Sequence, residues 1–439
     1  MLIPSNKIIL IDDSEEDLYK LSKIFHDNGI GCRCFKYDSL YNNPLTGVRV
    51  AFLDINLNGP TSDSARYQNL ETTITNYISK ENGCFVLVFW TSNTEWIKEF
   101  IDFVNRDEND VKKYIRPFYI TFIDKSEFLD GSKDFTKKIE EIFDSPAIRI
   151  LLEFEDQIQT GGWNAVANLI NTIPSGDKWG DTQKFEQNCK DVFAAIACQS
   201  VGVENAKEDP DSAIKEAIIP IIEDNLRTAK SNIWKKFLTN LPGSSKQNPI
   251  CFPDNFKVEQ LNTVFHIDKV NPLEITHRGA VCPVNCTRSG SCDLFTDCFA
   301  MNYCDWFNTT FPGLAKNDRN NCTLIALELS AACDYANNKK RTNRYLLGVI
   351  LPQYLRAKLE LNKSRQGDYL LILPFDFEYE GGSVFMCFNM NFIFTLNVNN
   401  IQAVLQTPIF YLKKEMVDYV GSRFAQHASR LGTTYFSSL

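Results

Sequence analysis

Four short apolar runs in the first third of the chain are each followed by a polar side chain suited to chemistry. The runs are KIILI, VRVAFL, CFVLVFW and PFYITFI. They are rich in branched and aromatic residues and do not alternate with polar ones, which is typical of parallel strands buried on both faces. The sequence therefore predicts an open α/β sheet in this region.

The side chains that follow these runs are aspartates, a threonine and a lysine. Asp12 and Asp13 follow the first run, Asp54 the second, Thr91 the third and Lys125 the fourth. Open α/β sheets place ligand sites outside the carboxyl ends of their strands. We therefore expect these side chains to lie together at one edge of the sheet.

The combination of carboxylates, hydroxyl and ammonium fits the transfer of a phosphoryl group to a carboxylate, which becomes an aspartyl phosphate. Lys125 and the Thr91 hydroxyl would bind phosphoryl oxygens. Mg²⁺ prefers oxygen ligands, and those expected here come from Asp12, Asp13, Asp54 and the Asn56 carbonyl.

A simpler alternative assigns Asp12 and Asp13 to the N-terminal cap of a helix that begins around Ser14. That alternative explains one of the strand ends and leaves the other three unexplained.

The ordered set of strand ends resembles the response-regulator receiver domain, the phosphoacceptor half of two-component signalling, over about residues 5–150. The resemblance implies a flavodoxin-like parallel sheet in which Asp54 is the phosphoacceptor and Lys125 senses the phosphate. It also implies that Thr91 is the switch hydroxyl, that Phe122 is the switch aromatic and that Asn56 tunes the phosphate lifetime.

The chain departs from the receiver pattern in two respects. Ser126 stands where receivers usually carry proline, which puts the geometry of that loop in doubt. The spacings from Asp54 to Thr91 and from Thr91 to Lys125 are also longer than receivers usually have.

The bulk properties narrow the class of protein. A chain of 439 residues is too long for one ordinary core. The net charge of −9 argues against nucleic-acid binding. An uncharged membrane span and a signal peptide are both absent from the sequence, which predicts a cytoplasmic protein with reduced cysteines.

The composition predicts a multidomain α/β plus α plus β protein. The predicted parts are a receiver domain (1–146), a helical region (147–240), a linker (241–249) and a mainly β C-terminal domain with a terminal helix (250–439). Within the helical region, Gly161-Gly162 predicts a break and Pro220 a kink or a split.

Cysteines concentrate near the start of the C-terminal part. A tetrahedral zinc site would use Cys282, Cys286, Cys292 and Cys298, with His277 and Cys304 nearby. The tight C-x-x-C spacing of zinc knuckles is absent. Scattered buried thiols are the alternative.

Cys333 and Asp334 form a second candidate site, an output site in which Cys333 could act as a nucleophile with His277. This segment resembles an uncharacterised bacterial domain with a Ser-x-x-Cys-Asp motif, here beginning at Ser330. That domain tends to end in an Arg-Phe…Arg-x-Gly pattern, here at residues 423–432. A structural role for Cys333 is the alternative.

These features predict a response regulator that accepts a phosphoryl group on Asp54 from a cognate histidine kinase. The layout resembles the receiver-bearing regulator of a Detocs-type phage-defence two-component system, which would act as a phosphate sink. No enzymatic activity is expected beyond self-phosphorylation and dephosphorylation. The alternative is a phosphorylation-gated effector whose C-terminal domain is an enzyme or a partner-binding module. Other receiver proteins or a second copy of the chain remain open as partners, and no membrane partner is expected.

Overall fold

The computed structural model describes residues 7–57, 62–106, 115–128, 134–144, 146–174, 181–228, 234–235, 238, 252–269, 273–285, 293–315, 317–331, 342–361, 369–396 and 401–429. Contacts divide the chain into two compact units. The first comprises residues 1–168 and 222–241, and the second comprises 169–221 and 242–439. The predicted linker, 241–249, lies outside the described residues, and the predicted domain boundaries stay predictions.

The first unit contains an all-parallel sheet, with five strands among its described residues. The strands are β1 (Ile8–Asp12), β2 (Arg33–Lys36), β3 (Val50–Leu53), β4 (Val86–Thr91) and β5 (Tyr119–Asp124). Their order is β2-β1-β3-β4-β5, which is the strand order of flavodoxin-like doubly wound sheets. The predicted parallel sheet is therefore confirmed.

Helices cover both faces of this sheet. They are α1 (Glu15–Asp27), α2 (Asp63–Tyr77), α3 (Trp96–Val104), α4 (Lys125–Phe128) and α5 (Phe135–Phe143). One buried cluster joins the sheet to α1 and α5, and a second joins the opposite face to α2 and α3. The connection from β2 to β3, residues 37–49, contains no helix.

Strand β2 has no counterpart among the predicted strands. It lies at the edge of the sheet, and its residues alternate between half-buried and exposed. Its sequence, RCFK, therefore lacks the continuous apolar run that marks a central parallel strand.

The helical region forms four helices in its described part: α6 (Pro146–Asn171), α7 (Thr182–Val201), α8 (Val203–Glu208) and α9 (Pro210–Thr228). Helix α6 runs unbroken through Gly161 and Gly162, so the predicted break is wrong. A Cβ atom on Gly161 would lie 2.8 Å from Leu226 Cδ2. Gly161 therefore allows close approach of α9. Pro220 lies inside α9 and does not split it.

The second unit contains an antiparallel sheet, which the sequence predicted in part. Its described strands are β6 (Ile267–Asp268), β7 (Ala280–Pro283), β8 (Thr323–Glu328), β9 (Asn343–Pro352), β10 (Leu370–Ile372), β11 (Phe377–Tyr379), β12 (Gly382–Leu396) and β13 (Phe410–Leu412). The order is β10-β12-β9-β8-β7-β13-β6, and β11 also pairs with β12.

A two-residue turn, Glu380-Gly381, joins β11 to β12. Tyr379 pairs with Gly382 across it, and φ is 49° at Glu380 and 76° at Gly381. Two positive φ angles are characteristic of a type I′ hairpin turn, and glycine adopts them without steric cost.

Helices also pack on the antiparallel sheet. They are α10 (Val258–His266), α11 (Asp293–Phe299), α12 (Tyr303–Thr310), α13 (Arg356–Leu361), α14 (Ile401–Val404) and the terminal helix α15 (Lys414–Ala428). Phe295 and Trp306, from α11 and α12, pack on one face, and Val417 and Val420, from α15, pack on the other. Only the terminal helix was predicted. In the described part of the chain, no helix has the length and apolarity needed to cross a membrane.

Candidate functional site

Polar residues stand at the carboxyl ends of the central strands, as the sequence predicted. Strand β1 ends at Asp12, and β3 is followed directly by Asp54. Ile11 of β1 pairs with Leu53 of β3, which sets the two aspartates level with each other. The backbone N–H of Asp54 donates to the Ile11 carbonyl at 3.1 Å and continues the pairing to the edge of the sheet.

Lys125 is positioned by a sharp turn after β5. Asp124 ends the strand, and its Oδ1 accepts hydrogen bonds from Ser126, at 2.9 Å from the backbone N–H and 2.6 Å from Oγ. Asp124 thereby caps the single turn of α4, which begins at Lys125. Ser126, at the position where receivers usually have proline, supplies both donors of this cap.

The Lys125 ammonium group lies among three carboxylates. Its Nζ donates to Asp12 Oδ2 at 2.5 Å, to Asp54 Oδ2 at 2.8 Å and to Asp17 Oδ2 at 3.1 Å. Burial of Lys125 favours its neutral form, but the charges of Asp54 and Asp12 outweigh burial and raise its pKa. Lys125 is therefore a fixed cation at neutral pH.

Asp12 is buried, with only 1% of its surface exposed. Burial raises the pKa of Asp12 to about 6, even though Lys125 favours the charged form. The second carboxylate oxygen, Oδ1, accepts from the backbone N–H of Ser14 at 2.9 Å. Asp13, the next residue, is exposed.

Asp12, Asp13 and Asp54 can together bind a metal ion. One carboxylate oxygen from each lies within 4.8 Å of the others, and this is the only such group among the residues described. Oxygen donors suit hard divalent cations such as Mg²⁺ or Ca²⁺. Since a thiolate or imidazole ligand is absent from the group, its chemistry fits these ions better than zinc.

The charge of the cluster also favours a cation. Three carboxylates, those of Asp12, Asp17 and Asp54, contact one ammonium group, that of Lys125. With all of them ionised, three negative charges against one positive leave an excess of two. A divalent cation would offset that excess, because charges at these separations interact strongly.

Asp17 was not predicted as a site residue. It lies in the first turn of α1, where its backbone N–H donates to the capping Ser14 Oγ at 3.2 Å. Acidic residues are common in a first helical turn because they interact favourably with the helix dipole. The sequence signal for Asp17 is thus indistinguishable from that of an ordinary helix start.

The other predicted receiver residues lie nearby with different partners. Thr91 is fully buried at the end of β4, and its Oγ1 accepts from the backbone N–H of Asn93 at 3.2 Å. Asn56 donates its backbone N–H to Asp54 Oδ1 at 3.1 Å. Phe122 is half exposed on β5, opposite Phe89 of β4. The predicted switch roles of Thr91 and Phe122 stay predictions.

The predicted zinc ligands are described only in part. Cys282 is buried on β7, and burial raises the pKa of its thiol to about 12. Cys298 lies on α11 and is exposed as a residue. Its thiol is partly desolvated, and this raises the pKa of the thiol. Cys286 and Cys292 lie outside the described residues. The zinc site therefore stays a prediction.

The predicted output site also falls largely outside the described residues. Cys333 and Asp334 are not described. The ring of His277 stacks on that of Tyr411 with centroids 4.1 Å apart. Ser330 donates its hydroxyl to the buried carboxylate of Glu328. A catalytic role for Cys333 stays a prediction.

Comparisons with known proteins leave the family open. No protein-family model matches the chain, and no curated protein matches it. Conclusions about function therefore rest on the geometry of the site.

Proposed function

We propose that the chain is a response regulator of the receiver type, in which Asp54 accepts a phosphoryl group in the presence of Mg²⁺. The observation that carries this proposal is the position of Lys125 Nζ, within 2.8 Å of both Asp12 and Asp54. A buried ammonium group beside the acceptor, with a carboxylate placed to bind a metal on its other side, suits phosphoryl transfer to a carboxylate.

The residues divide the chemistry between them. An oxygen of Asp54 attacks the phosphorus, a new O–P bond forms, and the bond to the donor's leaving group breaks with its electron pair. Lys125 binds a phosphoryl oxygen and stabilises the charge that develops there. Mg²⁺ bound by Asp12, Asp13 and Asp54 would offset negative charge and hold a phosphoryl oxygen. Thr91 at the adjacent strand end is proposed to bind a further oxygen.

We propose a histidine kinase as the physiological donor, since the arrangement of Asp54, the neighbouring carboxylates and Lys125 resembles that of a receiver. In the wider role we propose, the chain is a phosphate sink in a defence system of the Detocs type. The support for that role is the layout of a receiver followed by large parts of other composition. It is tested separately below.

The acceptor can be tested without knowing the kinase. The full chain should gain one phosphoryl group from acetyl phosphate with Mg²⁺, and intact mass spectrometry should show it. Asp54→Asn should abolish the gain, because an amide cannot form the acyl phosphate. Asp124→Asn is the matched control, since Asp124 also ends a strand at this edge and the asparagine side-chain oxygen can still accept the hydrogen bonds that cap α4. That variant should be labelled like the wild type.

Two results would contradict the proposal. Labelling of Asp54→Asn to the wild-type extent would place the phosphoryl group elsewhere. Labelling of the wild type that persists undiminished in excess EDTA would exclude the metal requirement.

A further inference from the structure

The two edges of the parallel sheet differ in how they are protected. Among the described residues, β2 lies at one edge and β5 at the other, and each pairs with a single neighbour. Such an edge presents unpaired backbone N–H and C=O groups, and charged side chains commonly protect it from pairing with another chain. Two of the four residues of β2 are basic, Arg33 and Lys36. In β5, only the last residue, Asp124, is charged.

Aromatic side chains beside the β5 edge are exposed. Phe118, which directly precedes the strand, is 37% exposed, Tyr119 is 39% exposed and Phe122 is 48% exposed. Tyr119 and Phe122 lie on opposite faces of the sheet, because side chains alternate along a strand. Exposed aromatic surface on both faces of an open edge favours a partner that adds a further strand, since aromatic cross-strand pairs stabilise strand pairing.

The charges at the two ends of β5 indicate which strand fits beside it. Exposed Arg116 lies before the strand, whereas Asp124 ends it and exposed Glu127 follows. If a second copy of β5 pairs antiparallel, the start of each strand lies beside the end of the other. Basic and acidic side chains then meet at both ends, whereas a parallel arrangement would bring like charges together. Exposed ion pairs add little affinity but favour one orientation over the other.

We propose that two copies of the chain associate by antiparallel pairing of their β5 strands, so that the sheet of one copy continues into the sheet of the other. One edge paired with itself is an isologous contact about a two-fold axis. The axis lies near Thr121, at the middle of the strand. Phe122 of each copy is then a direct or diagonal cross-strand neighbour of Phe118 and Ile120 in the other, within the reach of an aromatic side chain.

This pairing does not depend on phosphorylation of Asp54. The contact is confined to one strand edge and the aromatic side chains beside it. Small interfaces of this kind are typical of weak association. We therefore expect a dimer whose population rises with protein concentration.

Sedimentation equilibrium of the full chain over a range of concentrations tests the association. The wild type should shift from monomer to dimer as its concentration rises. Phe122→Lys should weaken the dimer by about ten-fold, because each dimer loses two cross-strand contacts and gains two charges at the edge. Tyr19→Lys is the matched control, since Tyr19 is an aromatic residue of α1 that is 68% exposed. That variant should associate like the wild type.

Cross-linking tests the orientation of the strands. A bismaleimide with a short spacer should join two copies of Thr121→Cys, because residues near the axis lie beside each other. It should not join two copies of Arg116→Cys, because antiparallel pairing places the two strand starts about 20 Å or more apart, at about 3.3 Å per residue. Trypsin yields the peptide of residues 114–125, which has no native cysteine and in which Pro117 protects Arg116 from cleavage. Linkage of this peptide to itself requires two copies.

Three results would overturn the proposal. One is a wild-type chain that stays monomeric up to about 100 μM, where even weak association is populated. Another is a dimer that Phe122→Lys, shown to be folded by circular dichroism, leaves as stable as before. The third is self-linkage of Arg116→Cys as efficient as that of Thr121→Cys. Loss of thermal stability in Phe122→Lys without any change in mass would instead show that β5 is covered within its own chain.

Discussion

At the scale of single residues, burial and the charge of Lys125 have opposite effects on the pKa of Asp12. Its pKa is raised from 3.8 to about 6 mainly because the side chain is buried. The folded state therefore binds a proton more tightly than the unfolded state between these values. The contribution of Asp12 to stability is greatest below pH 3.8 and falls as pH rises to about 6. Lys125 adds nothing in this window, because its raised pKa lies far above it.

We predict that Asp12→Asn weakens this pH dependence. A shift of roughly two pKa units corresponds to about 3 kcal/mol. Relative to Asp12→Asn, the metal-free wild type should lose up to about that much stability between pH 4 and pH 7. Denaturant midpoints of the full chain in EDTA would measure the difference. Asp13→Asn, at the exposed neighbour, serves as the control and should follow the wild type. Parallel curves for wild type and Asp12→Asn would contradict the prediction.

The site residues that could be predicted from the sequence are those that follow an apolar strand directly. Asp12, Asp54 and Lys125 each follow an apolar run, and the sheet brings both aspartates within hydrogen-bonding distance of Lys125. Asp17 could not be found this way, because its contact with Lys125 comes from the direction of a helix rather than the end of a strand. The cap from Asp124 to Ser126 was likewise invisible, since it depends on the turn that follows β5.

At the scale of elements, Gly161 and Gly162 form a natural matched pair inside α6. Replacing a helical glycine by alanine stabilises a helix by about 1 kcal/mol. A Cβ atom on Gly162 would meet nothing within 4 Å, whereas one on Gly161 would lie 2.8 Å from Leu226 Cδ2. Gly162→Ala should therefore stabilise the protein. Gly161→Ala should not, because its Cβ atom would clash with Leu226.

Thermal unfolding would measure this difference. We expect Gly161→Ala to be less stable than Gly162→Ala by about 1 kcal/mol or more. Adding Leu226→Ala should narrow the gap, because the crowding atom is then removed. Equal stability of the two glycine variants would show that α6 and α9 do not pack as closely as described.

Elements were predictable where one local signal dominates. The strands β1, β3, β4 and β5 lie in continuous apolar runs and were found, although β5 is an edge strand of the described sheet. The other edge strand, β2, lacks such a run and was not found. The break at Gly161-Gly162 was predicted from local helix propensity alone, and tertiary packing keeps the helix continuous there. The short helices α11 and α12 were missed because their aromatic residues pack on a sheet assembled from distant segments, and local periodicity does not report such packing.

At the scale of the whole molecule, the cluster around Lys125 lies in the first unit, and the second unit comprises residues 169–221 and 242–439. The second unit could be an output that phosphorylation controls, or a part with another role in a protein that only removes phosphate. Both alternatives require phosphorylation of Asp54, so measuring phosphorylation does not distinguish them. The direction in which loss of Asp54 changes cell growth does distinguish them.

A sink and an effector respond oppositely to loss of the acceptor. If the chain is a sink, Asp54→Ala lets phosphate flow on to the true effector, and cells with an active cognate kinase should grow worse. If the chain is itself the effector, phosphorylation switches on the harm, and Asp54→Ala should protect. Since we propose the sink, we predict poorer growth of the Asp54→Ala strain beside intact kinase and effector genes. Asp124→Asn, which keeps Asp54, should grow like the wild type. Better growth of the Asp54→Ala strain, with the variant shown to be folded, would assign the harmful output to this chain.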